Sequence, residues 1–175
     1  MSRLVGLMGK ARSGKDTAAD YLQTYGFHRY AFADPMKDML EAVFGDHFRN
    51  GDRERPIHWL GKSPRQLMQT LGTEWGRGCV HPELWILLAR GKWDVVNHMG
   101  ESLVITDVRF ANEAKMITDQ GGILIELVRP DAEKVNAHIS ENNDMSGVAR
   151  YTIINDGSFA DLYSEIDRVM GYPTL

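Results

Sequence analysis

The 175-residue sequence predicts a single doubly wound α/β domain: a five-stranded parallel sheet with helices on both faces. Three observations carry that prediction. Short apolar runs bounded by glycine or aspartate alternate with segments of helical periodicity along the whole chain. The runs are nearly continuously apolar, as strands covered on both faces must be. Hydrophobic residues make up 43% of the chain and charged residues 25%, a composition able to bury its own core.

Each element has a local reason. Leu4-Val5-Gly6-Leu7-Met8 is an apolar run ending at Gly9, a buried strand. Lys15 to Tyr25 reads as helix, with Ala18, Leu22 and Tyr25 on one face and Gly26 as its stop. Arg29 to Ala33 is a second strand. Asp34 and Pro35 are an N-cap and first helical residue, opening a helix to about Phe44. Gly45 to Lys62 is a polar, charged loop. Ser63-Pro64-Arg65-Gln66 is a capping box with proline at the first position, so a helix begins there and buries Leu67 and Leu71. A further helix spans about His81 to Asn97. Ser102 to Asp107 is the strongest strand signal. Phe110, Ala114 and Ile117 then follow at helical spacing, ended by Gly121-Gly122. Ile123 to Val128 is the next strand, Pro130 to Arg150 is polar and weakly patterned, and Tyr151 to Ile154 is the last strand. Phe159, Leu162, Ile166 and Val169 mark the final helix, capped by Ser158.

Composition narrows the function. The net charge is −4, whereas a general nucleic-acid binder is usually basic, so nucleic acid is not an expected partner. No apolar run approaches the roughly 20 residues of a membrane span, and Met1 to Gly9 is too short and strand-like for a signal peptide. The one cysteine, Cys79, excludes an intramolecular disulfide and fits a cytoplasmic setting. The histidines and Cys79 show no metal-ligand spacing. Charge is unevenly placed: Arg3, Lys10, Arg12 and Lys15 stand in the first fifteen residues without an acid. An acidic chain with a basic N-terminal loop points to a small anionic ligand.

That loop is Gly9-Lys10-Ala11-Arg12-Ser13-Gly14-Lys15-Asp16-Thr17, which fits G-x-x-x-x-G-K between a strand and a helix. Glycines let the backbone curl so that N–H groups face phosphate oxygens. The following helix adds its positive end. Lys15 supplies a mobile charge to the β- and γ-phosphates, and Arg12 adds charge-assisted contacts. The residue after the lysine is usually Ser or Thr and here is Asp16, with Thr17 next. A carboxylate can hold Mg²⁺ but repels phosphate, while Thr17 can take over the hydroxyl role; the spacing leaves both open. Asp107, at the end of the strand from Leu103, is placed to orient Mg²⁺ at the sheet's carboxyl edge.

The segments GKARSGKDT from Gly9, FADPMKDML from Phe32, SPRQLMQTLGTEWGR from Ser63, VITDVRFANEA from Val104 and HISE from His138 occur in this order. Together they resemble the bacteriophage deoxynucleoside monophosphate kinases over most of the chain. The loop variant Gly-Lys-Asp is also similar to that of animal phosphomevalonate kinases. The resemblance to the phage enzymes implies a P-loop, nucleoside-monophosphate-kinase-like fold and transfer of the ATP γ-phosphoryl group to a deoxynucleoside monophosphate, with Mg²⁺. It implies that Lys15, Arg12 and Thr17 serve the ATP phosphates and Mg²⁺. It further assigns Asp34, Lys37, Arg65, Gln69, Thr73 and Arg77 to the acceptor, Arg109 to the transferring phosphoryl group, and about 130–150 to a lid. The acceptor region would span about 34–100, and a phage source would place the protein in host cytoplasm.

Beside this stand plainer readings. Arg65, Gln69 and Thr73 recur every four residues as one polar stripe, which solvation alone would also explain. Trp75 can stack on a base or fill the core, and the core is the expected place. Arg129, directly after a strand, is the best lid arginine, with Lys134, His138 and Arg150 as further lid candidates; Ser140 and Glu141 accompany His138 as a lid hinge, a substrate contact or a capped turn. Asn155, after the last strand, is a candidate adenine neighbour or a turn residue. A homodimer is compatible with the sequence. The alternatives are a kinase of phosphomevalonate or another small phosphate, and a nucleotide-binding switch without turnover.

Overall fold

The computed structural model describes residues 2–50, 52–130 and 147–173. The strands Leu4–Met8 (β1), Phe27–Tyr30 (β2), Ser102–Ile105 (β3), Ile123–Val128 (β4) and Tyr151–Ile154 (β5) form one parallel sheet in the order β2-β3-β1-β4-β5. β1 is therefore central, pairing Val5 with Val104 on one side and with Ile123 on the other. All five of its residues are buried, which is why its sequence shows no polar alternation.

Helices α1 (Lys15–Thr24) and α7 (Phe159–Met170) cover one face. Ala18, Ala19 and Leu22 of α1 and Leu162, Ile166 and Met170 of α7 share a core with Val5 and Leu7. Gly6 points the other way. A Cβ there would lie 2.6 Å from Ile117 and 2.7 Å from Leu124, so helix α6 (Ala111–Asp119) seats on β1 at a distance that only glycine allows. Ser158 caps α7 as the sequence predicts, its hydroxyl accepting from the Asp161 N–H.

The chain divides into two units, Met1–Ala31 with Arg90–Leu175, and Phe32–Ala89. The sheet belongs to the first. The second contains α2 (Asp34–Phe44), the four-residue α3 (Asp46–Arg49), α4 (Pro64–Gln69), a π-helical segment Thr70–Val80 and the start of α5 (Leu84–His98). The capping box that opens α4 is present in both directions, between Ser63 and Gln66. The π-helical turns have a packing cause. Gly72 lies against Met36, where a Cβ would come within 2.7 Å of Sδ. Gly76 lies against the ring of Trp85, and the buried Trp85 indole donates a 2.8 Å hydrogen bond to the Gly72 carbonyl. Two bare backbone faces and a carbonyl given to an indole favour wider turns than an α-helix provides.

Several expectations from the sequence are corrected. The second strand is Phe27–Tyr30 rather than Arg29 to Ala33, because pairing with β3 starts directly after Gly26. Ala33, not Asp34, occupies the N-cap position of α2; Asp34 lies in the first turn and pairs with Lys37 at 2.9 Å. The helix expected from His81 starts at Leu84, since His81 turns back to cap it, Nδ1 accepting from the Glu83 N–H. The segment Gly45 to Lys62 is more than a loop. It contains α3 and the buried Ile57, and it is tied to α4 by the Arg65 N–H donating to the Arg53 carbonyl. Trp75 is 44% exposed instead of in the core, because Gly72 and Gly76 take the inward positions of that segment. Of the region 130–150, residues 131–146, including Lys134, His138, Ser140 and Glu141, lie outside the described residues.

Candidate active site

The loop Gly9 to Lys15 leaves the carboxyl end of the central strand and enters α1. Gly9 and Gly14 have φ of 129° and 103°, backbone that L side chains rarely adopt. A Cβ on Gly9 would also collide with the Leu127 carbonyl, and one on Gly14 with the Asn155 side chain. Arg12 has φ 62°, an uncommon value for a non-glycine residue. Gly14 occupies the N-cap position and has no side chain to satisfy the first N–H groups of α1, so they face the loop as an anion-binding end. Ser13 is buried, and its Oγ is, among the described residues, a buried side-chain polar atom without a hydrogen-bond partner. Lys15 Nζ donates to the Gly9 carbonyl at 2.7 Å and the Lys10 carbonyl at 2.6 Å, arching over the loop.

Neighbouring strand ends support it. Asn155 is buried and its Nδ2 donates to the Ser13 carbonyl at 2.9 Å, while its own N–H bonds the Val128 carbonyl. Its side chain thus braces the loop from behind. After β3, the Thr106 N–H bonds Tyr30 and the Val108 N–H bonds Leu7. Asp107 sits between these two bonds, at the carboxyl edge beside the start of the loop. Arg109 is exposed two residues later, and its backbone N–H donates to the Glu113 carboxylate at 2.8 Å. Glu113 is 3% exposed and also receives the Phe110 N–H at 3.1 Å, so it fixes the turn that presents Arg109. Glu113 is a functional residue whose signal in the sequence is a glutamate three residues after the position that opens α6. Arg129, exposed at the end of β4, belongs to the same edge of the sheet.

Oxygen donors fit a hard divalent cation. Mg²⁺ takes one or two protein oxygens and draws the rest from phosphates and water. Thr17 in the first turn of α1 and Asp107 after β3 have that chemistry. The Asp16 carboxylate is engaged elsewhere, in an ion pair with Arg29.

The acceptor-side residues named from the sequence all lie in the second unit. Asp34 and Lys37 pair with each other, and Arg65 pairs with Glu54 at 2.5 Å. Gln69 ends α4, and Thr73 and Arg77 follow in the π-helical segment, where Gln69 and Thr73 are exposed and Arg77 half-buried.

A glycine loop at the end of the middle strand of a 2-3-1-4-5 parallel sheet, backed by an acidic strand end, defines a P-loop kinase fold. The comparisons agree. The chain is similar in fold to dephospho-CoA kinase from Campylobacter jejuni, with a TM-score of 0.55, 14% identity, and coverage of 98% of this chain and 96% of the other. The family model for deoxynucleotide monophosphate kinase matches residues 3–60 and 58–166, and the chain belongs to that family. It is 32% identical to a putative deoxynucleotide monophosphate kinase of Acanthamoeba polyphaga mimivirus, covering 93% of both chains. It is 31% identical to the deoxynucleotide monophosphate kinase of Escherichia phage RB69, covering 95% of this chain and 99% of the relative. Among the described residues no helix is long and apolar enough to cross a membrane.

Proposed function

We propose that this chain transfers the γ-phosphoryl group of ATP to a deoxynucleoside monophosphate, giving the diphosphate and ADP, in the cytoplasm. The observation that carries the reading is the loop itself: an uncapped helix start, the buried Ser13 hydroxyl without a partner and the Lys15 ammonium folded onto the loop's own carbonyls all lie within Gly9 to Lys15. Family membership supplies the acceptor class.

The chemistry needs little beyond position and charge. An oxygen of the acceptor's ionised phosphate attacks the γ-phosphorus, and the bond to the β-bridging oxygen breaks, leaving ADP. No general base is required. Lys15 exchanges its two carbonyl bonds for the β- and γ-phosphates. Arg12, Arg109 and Arg129 balance charge on the transferring group. Thr17 and Asp107 would hold Mg²⁺, which would supply charge neutralisation on the triphosphate. Asp34, Lys37, Arg65, Gln69, Thr73 and Arg77 bind the acceptor; Gln69 can offer a base edge both donor and acceptor.

The test is ADP release from Mg²⁺-ATP with dTMP, dGMP, dCMP, dAMP, GMP and phosphomevalonate in parallel. Stimulation by one or more deoxynucleotides is expected. Stimulation by phosphomevalonate alone would reassign the acceptor, and nucleotide binding without stimulation by any of them would leave a switch.

A further inference from the structure

Asp16 stands where this loop type normally has a hydroxyl, in the first turn of α1. A carboxylate there is attracted to the same positive helix end as a phosphate and repels the phosphate directly. The structure shows how that conflict is resolved. Residues alternate in direction along β2. His28 contacts Glu101, whereas Arg29 reaches α1 and forms ion pairs with Asp16 and with Asp20, the latter at 2.7 Å. Asp16 and Asp20 are one helical turn apart, and the two guanidinium nitrogens Nη2 and Nη1 take one carboxylate each.

We infer that Arg29 is a positioning residue for nucleotide binding: it draws the Asp16 carboxylate to the outer side of α1 and offsets its charge, leaving the loop's N–H groups to phosphate. Without Arg29, two uncompensated carboxylates would stand in the first two turns of α1. The same pairing withdraws Asp16 from the metal and leaves Thr17 as the first-turn ligand. As an exposed pair it adds little to folding, so its effect belongs to ligand binding. The inference rests on the loop being a nucleotide site.

The test is a double-mutant cycle read by direct binding of ATP and ADP, with Mg²⁺ and with EDTA. Arg29→Ala is expected to weaken nucleotide binding about five- to tenfold, most in EDTA, where no cation screens the carboxylate. In an Asp16→Asn background the same substitution should change affinity less than about twofold. Arg29→Lys, which keeps the charge but not the fork, should fall between. Thermal midpoints of all variants establish that they fold. Equal losses in both backgrounds would mean that Arg29 touches the nucleotide itself, and no loss would mean a surface pair only; either overturns the inference. Loss of Mg²⁺-dependent affinity in Asp16→Asn would make Asp16 a metal ligand and overturn it too. A wild-type protein that binds no nucleotide would instead overturn the kinase reading.

Discussion

The two units hold their functional residues by different means. In the first, backbone fixes the site. The loop follows from a buried strand, two left-handed glycines and carbonyls held by Lys15 and Asn155. In the second, side-chain packing fixes it. The segment carrying Thr73, Trp75 and Arg77 owes its π-helical turns to Met36 and Trp85 pressing on two glycines. The aromatic residues divide in the same way. All six tyrosines lie in the first unit, and three of the four tryptophans, Trp59, Trp75 and Trp85, lie in the second. Backbone devices make generic phosphate sites. Packing devices can be retuned residue by residue, which suits the acceptor recognition proposed for that unit.

The largest expected effect tests the first unit. Lys15→Ala removes the charge proposed to serve the β- and γ-phosphates at the cost of the exposed hydrogen bonds to the Gly9 and Lys10 carbonyls. Turnover should drop about 10³-fold, with the circular dichroism spectrum and thermal midpoint nearly unchanged. Retained turnover in a folded variant would remove the loop from the chemistry.

A middle-sized effect tests the second unit. Gly76→Ala puts a methyl group into the Trp85 ring. Overpacking of this kind costs about 1–3 kcal/mol or returns the segment to narrower turns. The thermal midpoint should fall by several degrees, Trp85 fluorescence should shift, and kcat/KM for the acceptor should fall while ATP affinity stays within about twofold. Loss of ATP affinity to the same degree would count against assigning this segment to the acceptor alone.

The contrast also explains how far the sequence could be read. The loop's place between strand and helix and the alternation of strands and helices were legible because each depends on residues within a few positions of one another. The capping boxes at Ser63 and Ser158 were legible for the same reason. Trp75 was not. It was expected in the core, and only the fit of Gly72 and Gly76 against Met36 and Trp85 turns it out. Arg29 was missed because its partners sit 13 and 9 residues away across a strand–helix crossing. Asn155 was read as an adenine neighbour or a turn residue, not as one that grips the Ser13 carbonyl, a contact 142 residues apart in sequence.

The smallest effect sharpens the comparison through the tyrosines. Tyr21 and Tyr25 of the first unit donate to the buried Asp167 at 2.9 and 3.1 Å, and Tyr21 stacks on Tyr163 with centroids 4.0 Å apart. The hydrogen bond with Tyr25, then burial and then Asp167, push the Tyr21 phenol above its usual range; burial raises Tyr172 as well, against the opposing pull of Arg3. A folded-state value above the unfolded one favours the folded protein while the phenol stays protonated. The contribution is therefore complete below about pH 10, the unfolded value, and is lost as pH rises through the folded value. Thermal midpoints should hold up to about pH 10 and fall above it, and Tyr21→Phe should flatten that fall. Tyrosinate absorbance reports the first unit alone, whereas tryptophan emission comes mostly from the second. If the seam between α1 and α7 is what gives way, the absorbance transition will move with the Tyr21→Phe substitution and the Trp85 transition of the second unit will not. Coincident shifts of both would mean that the two units unfold as one.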